Sequence, residues 1–256
     1  MKGKVTIAAM GLMLLAPISP VFAGVQEEAL INKIVEAYGG DALLSTPRIE
    51  ITEFKKTLWP GQEGKPGHAD FFRENSILTI DFEGERKSML SWRVSRSGKD
   101  LDRFVFDGRR GRVYDLPNKK YEEDDWYDFD TIGRSVTGAS DTMIARTLPT
   151  LAANAHAEGE AWFEGRLHDT LTVTPPRGGA FTLYVDKASG LISKKVREHP
   201  RAGEIAQVFS AHDKVDGVAF ARDMNLYVGG KVRAVSVERD IDLSPSLDGL
   251  FEEPEG

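Results

Sequence analysis

Asp213-Lys-Val-Asp-Gly217-Val-Ala-Phe220 leads to Met224-Asn-Leu-Tyr-Val228-Gly-Gly-Lys231-Val-Arg-Ala-Val-Ser-Val237, and then to Leu243-Ser-Pro245 and Leu250-Phe-Glu-Glu-Pro254. Two runs of strand-forming residues flank Gly229-Gly230. That dipeptide supplies the positive φ angles of a two-residue hairpin turn. The stretch predicts a closing β-hairpin followed by a short tail. It carries no nucleophile, base or ligand set, so it speaks to architecture alone.

Working back, period-two patterning recurs through most of the chain. Ile49 and Ile51, Leu78-Thr-Ile-Asp-Phe82, Phe104 and Phe106, Val113 to Leu116, Leu171 and Val173, and Phe181, Leu183 and Val185 read as strands. Turn residues punctuate them at Asp107-Gly108, Asp186 to Gly190 and Gly229-Gly230. The spacing predicts about ten or eleven strands. Gln26 to Tyr38 instead has helical spacing, with Ala29, Leu30, Ile34 and Ala37 on one face and Gly39-Gly40 as a stop. Strand patterning ceases again between Thr131 and Ala155. There Val136, Met143, Ile144, Leu148 and Leu151 predict two short helices, with Asp141 as a cap and Pro149 as an interruption.

The N-terminus has its own grammar. Lys2 and Lys4 precede an apolar run from Val5 to Leu15, Pro17 and Pro20 break it, and Val21-Phe22-Ala23 fits a cleavage site. This is a secretory signal peptide pattern. The run is about 11 residues, short of the roughly 20 that a spanning helix needs. The expectation is export to the periplasm, cleavage after Ala23, and one domain over residues 24–256. Removing residues 1–23 takes away two lysines and no acid, so the formal charge moves from −7 to −9. So acidic a chain is a poor match for nucleic acid. The chain has no cysteine, which excludes disulfides, thiol catalysis and cysteine metal sites.

Catalytic motifs do not emerge. His68, His156, His168, His199 and His212 are scattered, with no two within ten residues, and read as surface residues. No Gly-x-Ser-x-Gly elbow, phosphate loop or dinucleotide fingerprint is present. Arg109-Arg110-Gly111-Arg112 reads as a hairpin edge. Glu122 to Asp125 with Asp128 and Asp130 reads as a solvated loop, and its spacing lacks the glycine and terminal Glu of an EF-hand calcium loop. Tyr121, Trp126, Tyr127 and Phe129 either pack under that loop or line an entrance. No cofactor or metal is expected.

Phe181-Thr-Leu-Tyr-Val-Asp186-Lys-Ala-Ser-Gly190-Leu-Ile192, together with Asp216 to Phe220, Met224 to Val228 and the Leu243–Pro254 tail, resembles the outer-membrane lipoprotein carrier and lipoprotein-sorting proteins. The resemblance implies a mainly β fold: a strongly curved antiparallel sheet forming an incomplete barrel, with an N-terminal helix and short helices covering its mouth. Ala37 to Trp92, with Tyr38-Gly-Gly-Asp-Ala-Leu-Leu44 and Leu78 to Glu83, is similar to the non-catalytic segment ahead of some exported metallo-β-lactamase-type hydrolases. The His-x-His-x-Asp-His metal motif of those enzymes is absent. The resemblance implies a cavity for a lipid or other apolar molecule in a non-catalytic carrier or sensor. Its candidate lining is Leu78, Ile80, Phe82, Phe104, Phe106, Leu183 and Val185, with Met143, Ile144 and Leu148 from the cover. The other implied role is an interaction module serving a partner protein such as a hydrolase or an envelope complex.

Overall fold

The computed structural model describes residues 23–58, 71–95, 98–124, 140–175, 179–200 and 202–252. The signal sequence, the 59–67 loop, the acidic stretch from Asp125 to Asp130, Val136 and the aromatic residues Trp126, Tyr127 and Phe129 lie outside them.

A helix α1, Ala23–Tyr38, and a single turn α2, Asp41–Ser45, precede six strands: β1 Arg48–Leu58, β2 Phe71–Asp81, β3 Arg86–Ser95, β4 Gly98–Phe106, β5 Gly111–Asp115 and β6 Lys120–Asp124. Helix α3, Asp141–Thr147, continues into a 3-10 helix, Leu148–Asn154. Seven strands follow: β7 Ala155–Phe163, β8 Arg166–Val173, β9 Phe181–Asp186, β10 Ile192–His199, β11 Gly203–Val215, β12 Val218–Val228 and β13 Lys231–Asp242. All thirteen form one antiparallel sheet in the order β6-β5-β4-β3-β2-β1-β13-β12-β11-β10-β9-β8-β7. The count exceeds the ten or eleven expected.

The connectivity is two meanders joined at one seam. β1 pairs with β13, with Ile51 opposite Ile241 and Glu53 opposite Arg239. The closing hairpin therefore ties the C-terminal half of the sheet to the N-terminal half. Gly229 and Gly230 both have positive φ, 56° and 74°, as a two-residue hairpin of this hand requires. Among the described residues β6 and β7 are the two edges, and the sheet is neither closed nor strongly curled, which corrects the expected strongly curved, incomplete barrel.

The Asp186-Lys-Ala-Ser-Gly190 turn has a local cause. Asp186 Oδ1 accepts hydrogen bonds from the Ala188 and Ser189 amides, each at 2.9 Å, and Gly190 has φ of 77°. A Cβ on Gly190 would stand 3.1 Å from the Lys33 carbonyl of α1. The turn thus seats the helix. A little further along, α1 stops at Gly39, where φ is 124° and a Cβ would lie 2.8 Å from the Gly217 carbonyl in the β11–β12 turn. Both sequence glycine signals mark close backbone approaches between α1 and the sheet.

Two apolar clusters result. One puts Leu30, Ile31, Ile34 and Val35 of α1, with Ile144 and Leu148, against Leu171, Leu183 and Val185 of the β7–β12 half. The other gathers Ile49, Ile51, Leu78, Ile80, Phe104 and Phe106 of the β1–β5 half, with Met143, Phe220 and Ile241. Gly39→Ala is expected to destabilise by about 1–3 kcal/mol through its strained φ and the backbone contact. Urea unfolding of the variant, with Gly24→Ala as an unstrained control, measures it.

Candidate functional site

β12 changes partners halfway along. Asn225 to Val228 pair with β13 between Lys231 and Val235, while among the described residues Val218 to Asp223 pair with β11 alone. β13 beyond Val235 pairs with β1 instead. The two strands therefore separate above Asn225, and α3 sits in the gap. Backbone groups of β12 exposed by the separation need partners, because an unpaired buried amide is costly. Helix α3 supplies them from its first two residues. Asp141 Oδ2 accepts from the Ala221 amide at 2.9 Å, and Thr142 Oγ1 donates to the Ala219 carbonyl at 2.9 Å. The Ala221 carbonyl accepts from Arg239 Nη1 of β13 at 2.7 Å.

Asp141 is fully buried, and its remaining contacts converge from three elements. Tyr38 at the end of α1 donates its hydroxyl to Oδ2 at 3.0 Å. His212 Nε2 of β11 lies 3.2 Å from Oδ2, and Arg239 Nη1 lies 3.5 Å from Oδ1. The Tyr38 hydroxyl also accepts from the Ile192 amide at 3.3 Å. Arg239 in turn reaches Glu53 of β1 at 4.0 Å. One carboxylate thus links α1, α3, β11, β12 and β13. Burial pushes the Asp141 carboxyl up, but the His212 hydrogen bond, the Arg239 charge and the Tyr38 hydrogen bond outweigh it, and the group is held below the usual aspartate range. Burial, then the Asp141 charge, drive the Tyr38 hydroxyl well above its ordinary value. The constellation has the residue types of an acid–base site, yet every strong contact of Asp141 points into the protein. Its chemistry is the docking of α3.

Asp141 was expected as the helix cap. The cap is Ser140, whose hydroxyl accepts from the Met143 amide at 3.1 Å, which frees Asp141 for the strand. The surface reading of histidine also needs correction. His168 is fully buried, edge-on to Phe163 and Tyr184, and His212 is mostly buried at the Asp141 cluster. His156 does stay largely exposed, beside Glu27. Among the described residues no group of three or more His, Asp or Glu is arranged to hold a metal.

The ten residues expected to line a cavity are nearly all buried and fall in two apolar clusters. Leu78, Ile80, Phe104, Phe106 and Met143 share the β1–β5 cluster, with Phe82 packed against it. Ile144, Leu148, Leu183 and Val185 belong to the α1 cluster. The two clusters differ in cover. Helix α1 packs on β7, β8 and β12, whereas Met143 is the only helical residue of the β1–β5 cluster among the described residues. Two buried lysines share these surroundings. Lys87 lies 5.5 Å from the Phe104 ring centre and Lys195 lies 4.9 Å from that of Phe181, and burial lowers each to about 8. A groove of about 320 Å³ also exists, lined by Glu50, Phe54, Trp92, Glu238 and Asp240. It is acid-rich and is not the expected apolar cavity.

No protein-family model matches the sequence, and no curated protein matches it. Solved structures do match the fold. The chain is similar to an outer membrane lipoprotein-sorting protein domain from Vibrio parahaemolyticus at 12% identity and a TM-score of 0.56, over 86% of this chain and 95% of that one. It is similar to a DUF1329 family protein from Desulfovibrio piger at 14% identity and a TM-score of 0.55, over 88% and 96%. The fold is that of the lipoprotein-sorting type, as the Asp186–Gly190 and Gly229-Gly230 stretches implied. The metallo-β-lactamase-type segment is not shown by these comparisons.

Asp141→Ala strips the partner from Ala221, Tyr38 and Arg239 together, with an expected cost of about 3–5 kcal/mol. Asp141→Asn tests the charge. The native carboxyl titrates below the unfolded value of about 3.9. Its stabilisation is therefore complete above that value and is lost as pH falls through the lower folded value. The stability gap between wild type and Asp141→Asn in urea titrations is expected to be constant near neutrality and to close progressively in acid below about pH 4.

Proposed function

We propose that the protein is an exported, periplasmic, non-catalytic carrier or sensor that holds a lipid or other apolar ligand against the β1–β5 face. The observation that carries the reading is the separate apolar cluster of the β1–β5 half. Aliphatic and aromatic side chains of β1, β2 and β4 form a continuous apolar surface, and a single helical residue, Met143, reaches it from α3 among the described residues. Leu78, Ile80, Phe82, Phe104 and Phe106 then form the floor and Met143 the margin. Ile144, Leu148, Leu183 and Val185 anchor the cover on the neighbouring half. In this reading the signal peptide is removed after Ala23 and residues 24–256 act as one domain. No described helix is long and apolar enough to span a membrane.

The fold similarity to a lipoprotein-sorting domain supports the reading. So does adaptability at the margin, since methionine side chains at 89 and 143 can repack around chains of different shape. The driving force is removal of ligand methylenes from water, about 0.8 kcal/mol each. Native mass spectrometry of protein purified from its own envelope fraction is expected to show bound lipid. Titration with fluorescent acyl probes is expected to show affinity rising about tenfold for each two added methylenes. Absence of both bound lipid and probe uptake contradicts the reading.

A second reading, a module for a partner protein, draws on β7, an edge strand of the sheet among the described residues, where α1 takes the Ala157 amide but Trp162 is 73% exposed. An added strand from a partner is the mode such an edge offers. Trp162→Ala is expected to abolish co-purification of a partner if this mode operates.

A further inference from the structure

Within each strand of the β1–β5 half, side chains on the helix-bearing face change character at the same level. The register sets them in rows that run across the strands. One row holds Ile49, Ile80, Lys87 and Phe106 in succession, and the next holds Ile241, Ile51, Leu78, Met89, Phe104 and Val113. Two residues further along every strand the row becomes Arg239, Glu53, Ser76, Ser91 and Asp102, and the row after it Ser236, Lys55, Glu74 and Arg93. Alternation alone does not cause this. Residues i and i+2 share a face, so the same face carries both characters, apolar in two rows and polar in the next two. Here it turns polar on five adjacent strands at once, and Lys87 is the one charged member of the apolar rows.

The outer polar row also has a charge order. Lys55 Nζ lies 3.2 Å from Glu74 Oε1, and Arg93 Nε lies 3.8 Å from Glu74 Oε2. Positive, negative and positive groups thus follow one another on β1, β2 and β3, about 4.8 Å apart by strand spacing. Part of each side chain reaches solvent, from 14% for Glu74 to 44% for Arg93.

Resting on the apolar-ligand reading above, we infer that the ligand is a long-chain amphiphile with a zwitterionic headgroup. Its chain lies across the two apolar rows, and its head lies against Lys55, Glu74 and Arg93. From β13 to β5 the apolar rows cross five strand spacings, about 24 Å, which suits a long acyl chain. A purely anionic head meets Glu74, and a purely cationic one meets Lys55 and Arg93. A head with both charges a few ångströms apart matches neighbouring positions of the row.

The test compares palmitoyl lysophosphatidylethanolamine, palmitoyl lysophosphatidylglycerol and monopalmitoylglycerol, each displacing a fluorescent acyl probe from the full chain. The zwitterion is expected to bind about tenfold tighter than the uncharged glycerol ester. Glu74→Gln with Arg93→Gln is expected to bring the two to equal affinity while the ester's own affinity holds. Urea unfolding confirms that the variant is folded, and single Glu74→Gln gives a second, milder reading. Equal binding of zwitterion and ester by wild type overturns the inference, as does tighter binding of the phosphatidylglycerol form. Failure of all three to displace the probe also overturns it. Failure of the probe itself to bind instead sinks the apolar-site reading on which it rests.

Discussion

The fold turns on a buried carboxylate standing where a β-strand would otherwise be. Above Asn225, β12 and β13 part. In a two-layer protein such a gap would expose a run of amides and carbonyls to an apolar core, each at a cost of order 1–3 kcal/mol. Asp141 and Thr142 bond the Ala221 amide and the Ala219 carbonyl with side-chain oxygens, and Arg239 bonds the Ala221 carbonyl from the opposite strand. A buried charge is tolerated here because it is paired and fully hydrogen-bonded. The same carboxylate takes the hydroxyl of Tyr38, so α1 and α3 are registered to each other and to the split in one step.

That arrangement decides where α1 and α3 pack. Helix α1 spans the β7–β12 side, pinned at Gly190 and Gly39 by close backbone contacts. Helix α3 stops in the split. Neighbouring residues of β12 fall to different clusters there, Ala219 and Ala221 with α1 and Phe220 with the β1–β5 half. The molecule therefore has one half with a helix-packed core and one half whose apolar rows end at a polar margin. The proposed ligand site follows from that asymmetry.

How much of this the residues announced depends on how local the cause is. The Asp186 turn was legible because the aspartate bonds its own following amides and Gly190 alone accepts the φ. Helix α1 and the Gly229-Gly230 hairpin were legible for similar reasons. The strand count fell short at the edges. β6, Lys-Tyr-Glu-Glu-Asp, looks like the start of a charged loop, and the first half of β7 looks like the end of a helical stretch. Edge strands carry charges and small residues in place of apolar alternation, so the usual signal is missing there. The Asp141 cluster was invisible for a different reason. Tyr38, Asp141, His212 and Arg239 are far apart in the chain, and each has an ordinary local reading: helix face, helix cap, surface histidine, strand arginine. The apolar–polar boundary across β1 to β4 needed the register to be seen at all.

Amide hydrogen exchange at Ala221, read residue by residue in the wild-type protein, tests the docking of α3 by Asp141 most directly. Among the described residues no strand pairs with this amide on its outer side, and its hydrogen bond goes to the Asp141 carboxylate. The account predicts protection at Ala221 comparable to that of core amides such as those of Leu183 and Val185. Exchange at Ala221 as fast as in the exposed edge of β7 would contradict it.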